Sequence, residues 1–364
     1  MRARDTIRHL LGRNQLNVLL SHTYSKGGKI DLYHPNLTVR YCPSTILDRL
    51  GYRSVLFNPF YFKESHDLMR TTNCDLIQCE LLWSAPSGIS TKRKFKKPLI
   101  FVNHNVEYLK FIQEGKFAYS NLVYLVEKVC CQQADKIVVV SEVDKRKLSW
   151  LYKIPEDKIH TIPNCVDVDQ FTYNDDGRKL VRKKYGIENE TFVLAFVGKL
   201  DYYPNEMAVK YIAEKICPGI VKRYPKTIFL IVGSNYEALL KYKNKNMIFT
   251  GYVKNLQDYY SASDIVLVPI DIGSGTRVKT LEAASCSRPI VTTKKGIEGQ
   301  DFENNEEAII ANKVDRSFVE KILELIEDDH LRYTLGVNAR RKVETRYQWK
   351  EQIEKFSDVY EEVL

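Results

Sequence analysis

The segment Pro269–Gly299, PIDIGSGTRVKTLEAASCSRPIVTTKKGIEG, holds the densest set of residues able to do chemistry. An apolar run ends at Pro269, a loop with Gly273, Ser274 and Gly275 follows, and the pattern predicts a helix from Thr276 to Cys286. Small residues let backbone amides close on a phosphate, and a helix N-terminus adds unpaired N–H groups and a positive dipole end. Arg277 and Lys279 put two cations in the expected first turn. Cations there oppose the helix dipole, and a bound diphosphate reverses that penalty. Glu282, about one turn on, is placed to accept hydrogen bonds from ribose hydroxyls. The same residues also fit a plain strand-to-helix turn with solvent-facing charges.

Such a loop needs a sheet behind it. Short, nearly all-apolar runs recur along the chain: 17–21, 54–57, 75–79, 99–103, 136–140 and 158–162, then 192–197, 227–232, 247–250, 265–269, 289–293 and 308–310. Strands covered on both faces look like this, the signature of parallel sheets wrapped by helices. Helical periodicity lies between them, as at 207–216 and 318–327. The expected class is α/β, with two doubly wound Rossmann-like domains facing a central cleft. We place the first domain at 1–172 and the second at 173–345. Residues 328–364 read as helix throughout, with Trp349, Ile353, Phe356 and Tyr360 on one stripe, and 346–364 is expected to cross back to the first domain.

Composition excludes several classes. The 364 residues are 44% hydrophobic and 28% charged, which is ordinary globular usage. No apolar run reaches the ~18 residues that span a bilayer, and the N-terminus does not read as a secretory signal. The eight cysteines are scattered without zinc-ligand spacing and read as buried thiols in a cytoplasmic protein. Net charge is +9, and the excess sits in residues 1–172, with 25 basic and 17 acidic side chains. Clusters at Arg2, Arg4, Arg8, Arg13 and at Lys92, Arg93, Lys94, Lys96, Lys97 are either solvated loops or a face that meets an anionic membrane or acceptor. Neither cluster interleaves aromatics, so no nucleic-acid partner is expected. No G-x-G-x-x-G follows 18–21 or 192–197, which argues against a dinucleotide site. Asp167–Val168–Asp169 spells a metal-binding D-x-D, but it falls in the expected interdomain linker, and no metal is assigned.

Gly273–Glu282, GSGTRVKTLE, resembles the glycine-rich G-G-G-T-R-x-K-x-L-E donor segment of glycosyltransferase family 4, retaining enzymes of the GT-B fold. Ser274 stands where many members have a first glutamate that contacts the donor sugar, and Glu282 matches the second. The resemblance covers most of the chain. Lys199 matches the first basic position of the family's phosphate turn, and Asn205 stands near the second. Gly251–Tyr252–Val253 resembles the nucleobase loop, Asn103–His104–Asn105–Val106–Glu107 the histidine loop, and Gly27–Gly28 the first glycine-rich loop on the acceptor side. Pro163–Asn164–Cys165–Val166–Asp167 resembles the interdomain P-N-G-V-D linker.

The resemblance implies a hexosyltransferase with His104, Arg277, Lys279 and Glu282 in catalysis. It implies donor contacts from Lys199, Asn205, Val253, Gly273, Ser274, Gly275 and Thr276. No cofactor is implied beyond the co-substrate, a UDP- or GDP-linked sugar. The expected acceptor is a glycan or polyprenyl-linked glycan, met at the inner face of the membrane by a cytoplasmic, metal-independent enzyme. Each match has a plainer reading: His104 as a structurally bonded histidine, Lys199 as a solvated loop lysine, Asn205 as a helix N-cap and Gly27–Gly28 as an ordinary turn. The alternative for the whole chain is an inactive nucleotide-sugar-binding paralogue.

Overall fold

The structure is a computed structural model that describes residues 2–20, 34–43, 45, 56 and 58–364. The chain divides into two compact units, Met1–Pro163 with Trp349–Leu364, and Asn164–Gln348. The eight cysteines are free, and all but half-buried Cys74 are buried.

In the first unit, β1 (Leu16–Leu20) pairs in parallel with β2 (Leu37–Tyr41). A parallel four-stranded sheet runs in the order β3 (Ile77–Glu80), β4 (Leu99–Asn103), β5 (Lys136–Val139), β6 (Ile159–Thr161). Its strands follow the apolar runs of the sequence. β2 does not, because LTVRY is half-exposed and carries no continuous apolar run. The expected strand at 54–57 falls almost entirely outside the described residues. Ile100, Val102, Val138 and Ile162 present one face of this sheet to Ile353, Phe356, Val359 and Tyr360 of the helix Trp349–Glu361. His9 stacks on Trp349 with ring centroids 5.2 Å apart, and Arg13 pairs with Glu354. The C-terminal helix is therefore core to the first unit.

The second unit holds one parallel six-stranded sheet. Its strands are β7 (Val193–Val197), β8 (Ile228–Val232), β9 (Met247–Phe249), β10 (Ile265–Val268), β11 (Ile290–Thr293) and β12 (Ile309–Ala311). The order β12-β11-β10-β7-β8-β9 puts β7 beside β10, where chain direction across the sheet reverses. Loops leaving the carboxyl ends of two such strands diverge and open a crevice that binds ligands.

Residues 164–172 are bonded into this second unit. The Val166 N–H donates to the Tyr347 carbonyl at 2.9 Å, and Arg340 donates to the carbonyls of Val168 and Phe171 at 3.0 and 2.8 Å. The first compact unit thus ends at Pro163, ahead of the boundary read at 172. Residues 328–364 are not one helix: Asp329–Arg346 and Trp349–Glu361 are separate. Tyr347 breaks them, because its carbonyl is taken by Val166 and its hydroxyl accepts from the Asp301 N–H at 2.7 Å.

Phe356 is fully buried. Phe356→Ala should destabilise the first unit by about 3–5 kcal/mol, read as a lowered urea midpoint. A loss below about 1 kcal/mol would show that the helix adds little to that core.

Candidate functional site

The β10-to-helix loop is shaped by two glycines. Gly273 and Gly275 have φ of 104° and 77°, which side chains rarely tolerate. The helix that follows is Val278–Ser285, starting later than the sequence suggests. Arg277 is therefore not in the first turn. It is the extended residue before it, φ −98° and ψ 106°. Its carbonyl gathers the Thr280 N–H at 3.2 Å, the Thr280 hydroxyl at 2.5 Å and the Gln300 amide at 2.8 Å. Its guanidinium donates back to the Gly275 carbonyl, so the cation is folded over the loop. Thr276 accepts from the Asn164 amide. The buried Ser274 hydroxyl finds no hydrogen-bond partner among the described residues.

Lys279 lies in the first turn and reaches across to the neighbouring strand end. Its ammonium donates to Asn205 Oδ1 at 2.8 Å and lies 4.3 Å from the centroid of the Phe196 ring at the end of β7. The Asn205 Nδ2 donates in turn to the Lys199 carbonyl at 2.8 Å. Asn205 is buried, and it is not an N-cap. The helix Tyr203–Tyr211 starts two residues earlier, so Asn205 sits inside its first turn with its N–H on the Tyr202 carbonyl. A Cβ on Gly198 would lie 2.8 Å from Asn205 Nδ2 and 2.9 Å from Lys279 Nζ, so glycine is what lets the three meet. Burial, then the neighbouring Arg277 charge, pulls the Lys279 ammonium down to about 7.

Glu282 is buried one turn below, where its Oε2 accepts from the Tyr260 hydroxyl at 2.8 Å. The Lys199 ammonium points away from this group. It is well exposed and 3.4 Å from Asp201, and only the Lys199 carbonyl joins the network. Val253, half-buried against the core, follows Gly251, whose carbonyl accepts from the Gly233 N–H beyond β8 at 3.2 Å. Asp167 caps its own turn, accepting from the N–H groups of Asp169 and Gln170.

His104 belongs to the first unit, directly after β4. Its Nε2 lies 2.5 Å from Glu80 Oε2. The loop under it is pinned by buried Glu127, which accepts from the Asn103 amide, the N–H groups of Glu107 and Tyr108, and the Tyr152 hydroxyl. Burial holds the Glu127 carboxyl above its usual range, and the four donors oppose that shift. Gly27 and Gly28 lie outside the described residues.

The structure thus brings together Lys279, Asn205, Arg277 and the Gly273–Thr276 loop at the adjoining ends of β7 and β10. It adds Phe196, Gly198, Tyr260 and Gln300 in the second unit, and Glu80 and Glu127 in the first. None of these six carries a local signal. Each acts through a partner distant in sequence.

Residues 2–170 match the sequence profile described as Glycosyltransferase Family 4, and residues 191–328 match that described as Glycosyl transferases group 1. The capsular polysaccharide biosynthesis glycosyltransferase CapM of Staphylococcus aureus is 27% identical over 62% of this chain and 61% of its own. The UDP-Gal:alpha-D-GlcNAc-diphosphoundecaprenol alpha-1,3-galactosyltransferase of Escherichia coli is 25% identical over 64% of this chain and 59% of its own. The match thus spans about three-fifths of the length of these two relatives. Among solved structures, sucrose-phosphate synthase from Thermosynechococcus elongatus superposes with a TM-score of 0.82, covering 99% of this chain and 92% of its own at 17% identity. With both profiles matched in succession and this architecture, the chain belongs to the GT-B glycosyltransferases.

Proposed function

We propose that this chain moves a sugar from a UDP- or GDP-linked donor to a glycan or polyprenyl-linked acceptor, with retention of configuration and without a metal. The observation that carries this reading is the pair of cations, Arg277 and Lys279, held at adjoining strand ends beside a helix N-terminus. When the glycosidic bond breaks, negative charge gathers on the leaving diphosphate. Two fixed cations and the first amides of the helix Val278–Ser285 would stabilise that charge where it develops, supplying what a divalent ion would otherwise supply. Glu282 would hold the ribose, and Ser274 would present its hydroxyl to the donor. Asn205 would enter through the amide that holds Lys279, Lys199 through the backbone carbonyl that holds Asn205, and Val253 would border the base. We assign His104 to the transferred sugar and Gly27–Gly28 to the acceptor. In the retaining course the leaving phosphate takes the acceptor's proton, and no enzyme nucleophile is required. The galactosyltransferase relative, whose name specifies a UDP-linked donor and a diphosphoundecaprenol acceptor, supports this choice of substrates.

We also propose peripheral attachment to an anionic membrane on the cytoplasmic side through the first unit. No helix among the described residues is long and apolar enough to cross a membrane. The helix Phe117–Gln133 turns Leu122, Leu125 and Val129 outward, each at least 41% exposed, and its sole acidic residue, Glu127, is buried. At its end the basic cluster docks, with Lys92 and Arg93 donating to the Gln133 carbonyl and side chain. An apolar row flanked by cations suits an anionic bilayer surface.

Three outcomes test these readings. A UDP- or GDP-sugar at 100 times its dissociation constant should stabilise the protein by about 2.7 kcal/mol, seen as a melting shift that Arg277→Ala/Lys279→Ala removes. A shift without turnover would favour the inactive paralogue, and a shift with NAD alone would overturn the site. The second concerns pH. Diphosphate binding favours the protonated Lys279, which the free protein loses above about 7. Affinity should therefore fall as pH rises past about 7, with proton uptake seen by calorimetry in buffers of different ionisation enthalpy, and Lys279→Gln should abolish that uptake. Third, the protein should float with anionic vesicles and not with neutral ones, and Leu122→Asp/Leu125→Asp should stay behind. Equal recovery of wild type and variant would remove this helix from the membrane reading.

A further inference from the structure

We propose that Glu80 is a positioning residue that sets the ring tautomer of His104, and that its own orientation is fixed from the C-terminal helix through Gln78 and Tyr360. The inference rests on assigning His104 to the transferred sugar.

Gln78 and Glu80 are two apart on β3, so their side chains share one face of the sheet. β4 runs parallel beside β3 with Glu80 opposite Val102, which brings His104, just past the end of β4, to the same edge. Three hydrogen bonds join in series. The Tyr360 hydroxyl donates to Gln78 Oε1 at 2.6 Å, Gln78 Nε2 donates to Glu80 Oε1 at 2.7 Å, and Glu80 Oε2 lies 2.5 Å from His104 Nε2. The His104 and Glu80 side chains are only 17% and 24% exposed, so water competes weakly. Polarity runs one way along this series. A carboxylate only accepts, so Gln78 must face it with its NH2 group and turn its carbonyl toward Tyr360. For the same reason the histidine nitrogen facing Glu80 must carry the hydrogen. A neutral His104 is therefore the Nε2–H tautomer, with Nδ1 as its acceptor. That ring can accept from a sugar hydroxyl through Nδ1 without an internal rearrangement. Glu127 holds this loop through the Asn103 side-chain amide and the backbone N–H groups of Glu107 and Tyr108, and Glu80 fixes the ring.

Glu80→Gln inverts the last link. With Gln78 still presenting NH2, the new amide must turn its carbonyl to Gln78 and its own NH2 to His104. The ring nitrogen facing it must then accept, and the hydrogen moves to Nδ1. Adding Tyr360→Phe frees Gln78 to flip and should restore part of the Nε2–H form.

The test is long-range proton–nitrogen correlation NMR on histidine-labelled full-length protein at about pH 8, above the usual histidine range, alongside turnover with UDP- and GDP-sugars. Wild type should show His104 as Nε2–H. Glu80→Gln should show Nδ1–H and at least a tenfold lower kcat with little change in donor KM, the double variant should recover part of both, and Glu80→Asp should keep the wild-type tautomer. An unchanged tautomer in Glu80→Gln would overturn the positioning role. Full turnover by His104→Ala would instead overturn the assignment of His104, and with it the functional meaning of the series.

Discussion

Lys279 carries its ammonium where both burial and the dipole of its own helix oppose it. What touches it there is neutral, the Asn205 carbonyl oxygen and the face of Phe196, while the buried Glu282 carboxylate favours its charge from a turn away. An aromatic face attracts a cation without cancelling its charge, and an amide can be displaced by a better acceptor. The surrounding architecture serves this arrangement. β7 must lie beside β10 for Phe196 and Lys279 to meet, Gly198 must lack a side chain, and the helix carrying Asn205 must begin at Tyr203. A carboxylate in place of Asn205 would neutralise the ammonium outright, which the amide does not. The Lys279 ammonium is thus left short of its electrostatic minimum.

A common device underlies a loop in each unit. Beneath the cations, Glu282 accepts from Tyr260, and beneath the His104 loop, Glu127 accepts from Tyr152 at 2.6 Å. In both, a buried carboxylate is held by a phenol, and burial raises the phenol far above its ordinary range, so the tyrosine stays a donor. Rigid polar networks of this kind keep a loop in one geometry because an unmatched buried group is costly. They explain how loops rich in glycine and asparagine present defined atoms to a ligand.

Most strands were legible because a doubly covered strand writes a solid apolar run into the chain. β2 was not, since its half-exposed LTVRY has no such run. Arg277, Lys279 and Glu282 stood out because charges beside a glycine turn are locally anomalous. Asn205 was harder. Pro204 fits either side of a helix start, and only the long-range contacts with Lys199 and Lys279 decide its place. Tyr347 interrupts the continuous helix read over 328–364 for a tertiary reason, its bonds to Val166 and Asp301, which no local window contains. Glu80, Gln78 and Tyr360 belong to the same class. Each is unremarkable alone, and their meaning lies in the order in which they donate and accept.

The helix Trp349–Glu361 belongs to a unit whose sheet was made long before it. During synthesis the whole of Asn164–Gln348 emerges between the last strand of the first sheet and the helix that covers it. Until then Ile100, Val102, Val138 and Ile162 have no Phe356 to lie against. The first unit's sheet therefore cannot complete its core until chain beyond the second unit has been made. Completion of the first unit's core is thereby tied to a segment that lies beyond the whole of the second unit in the chain.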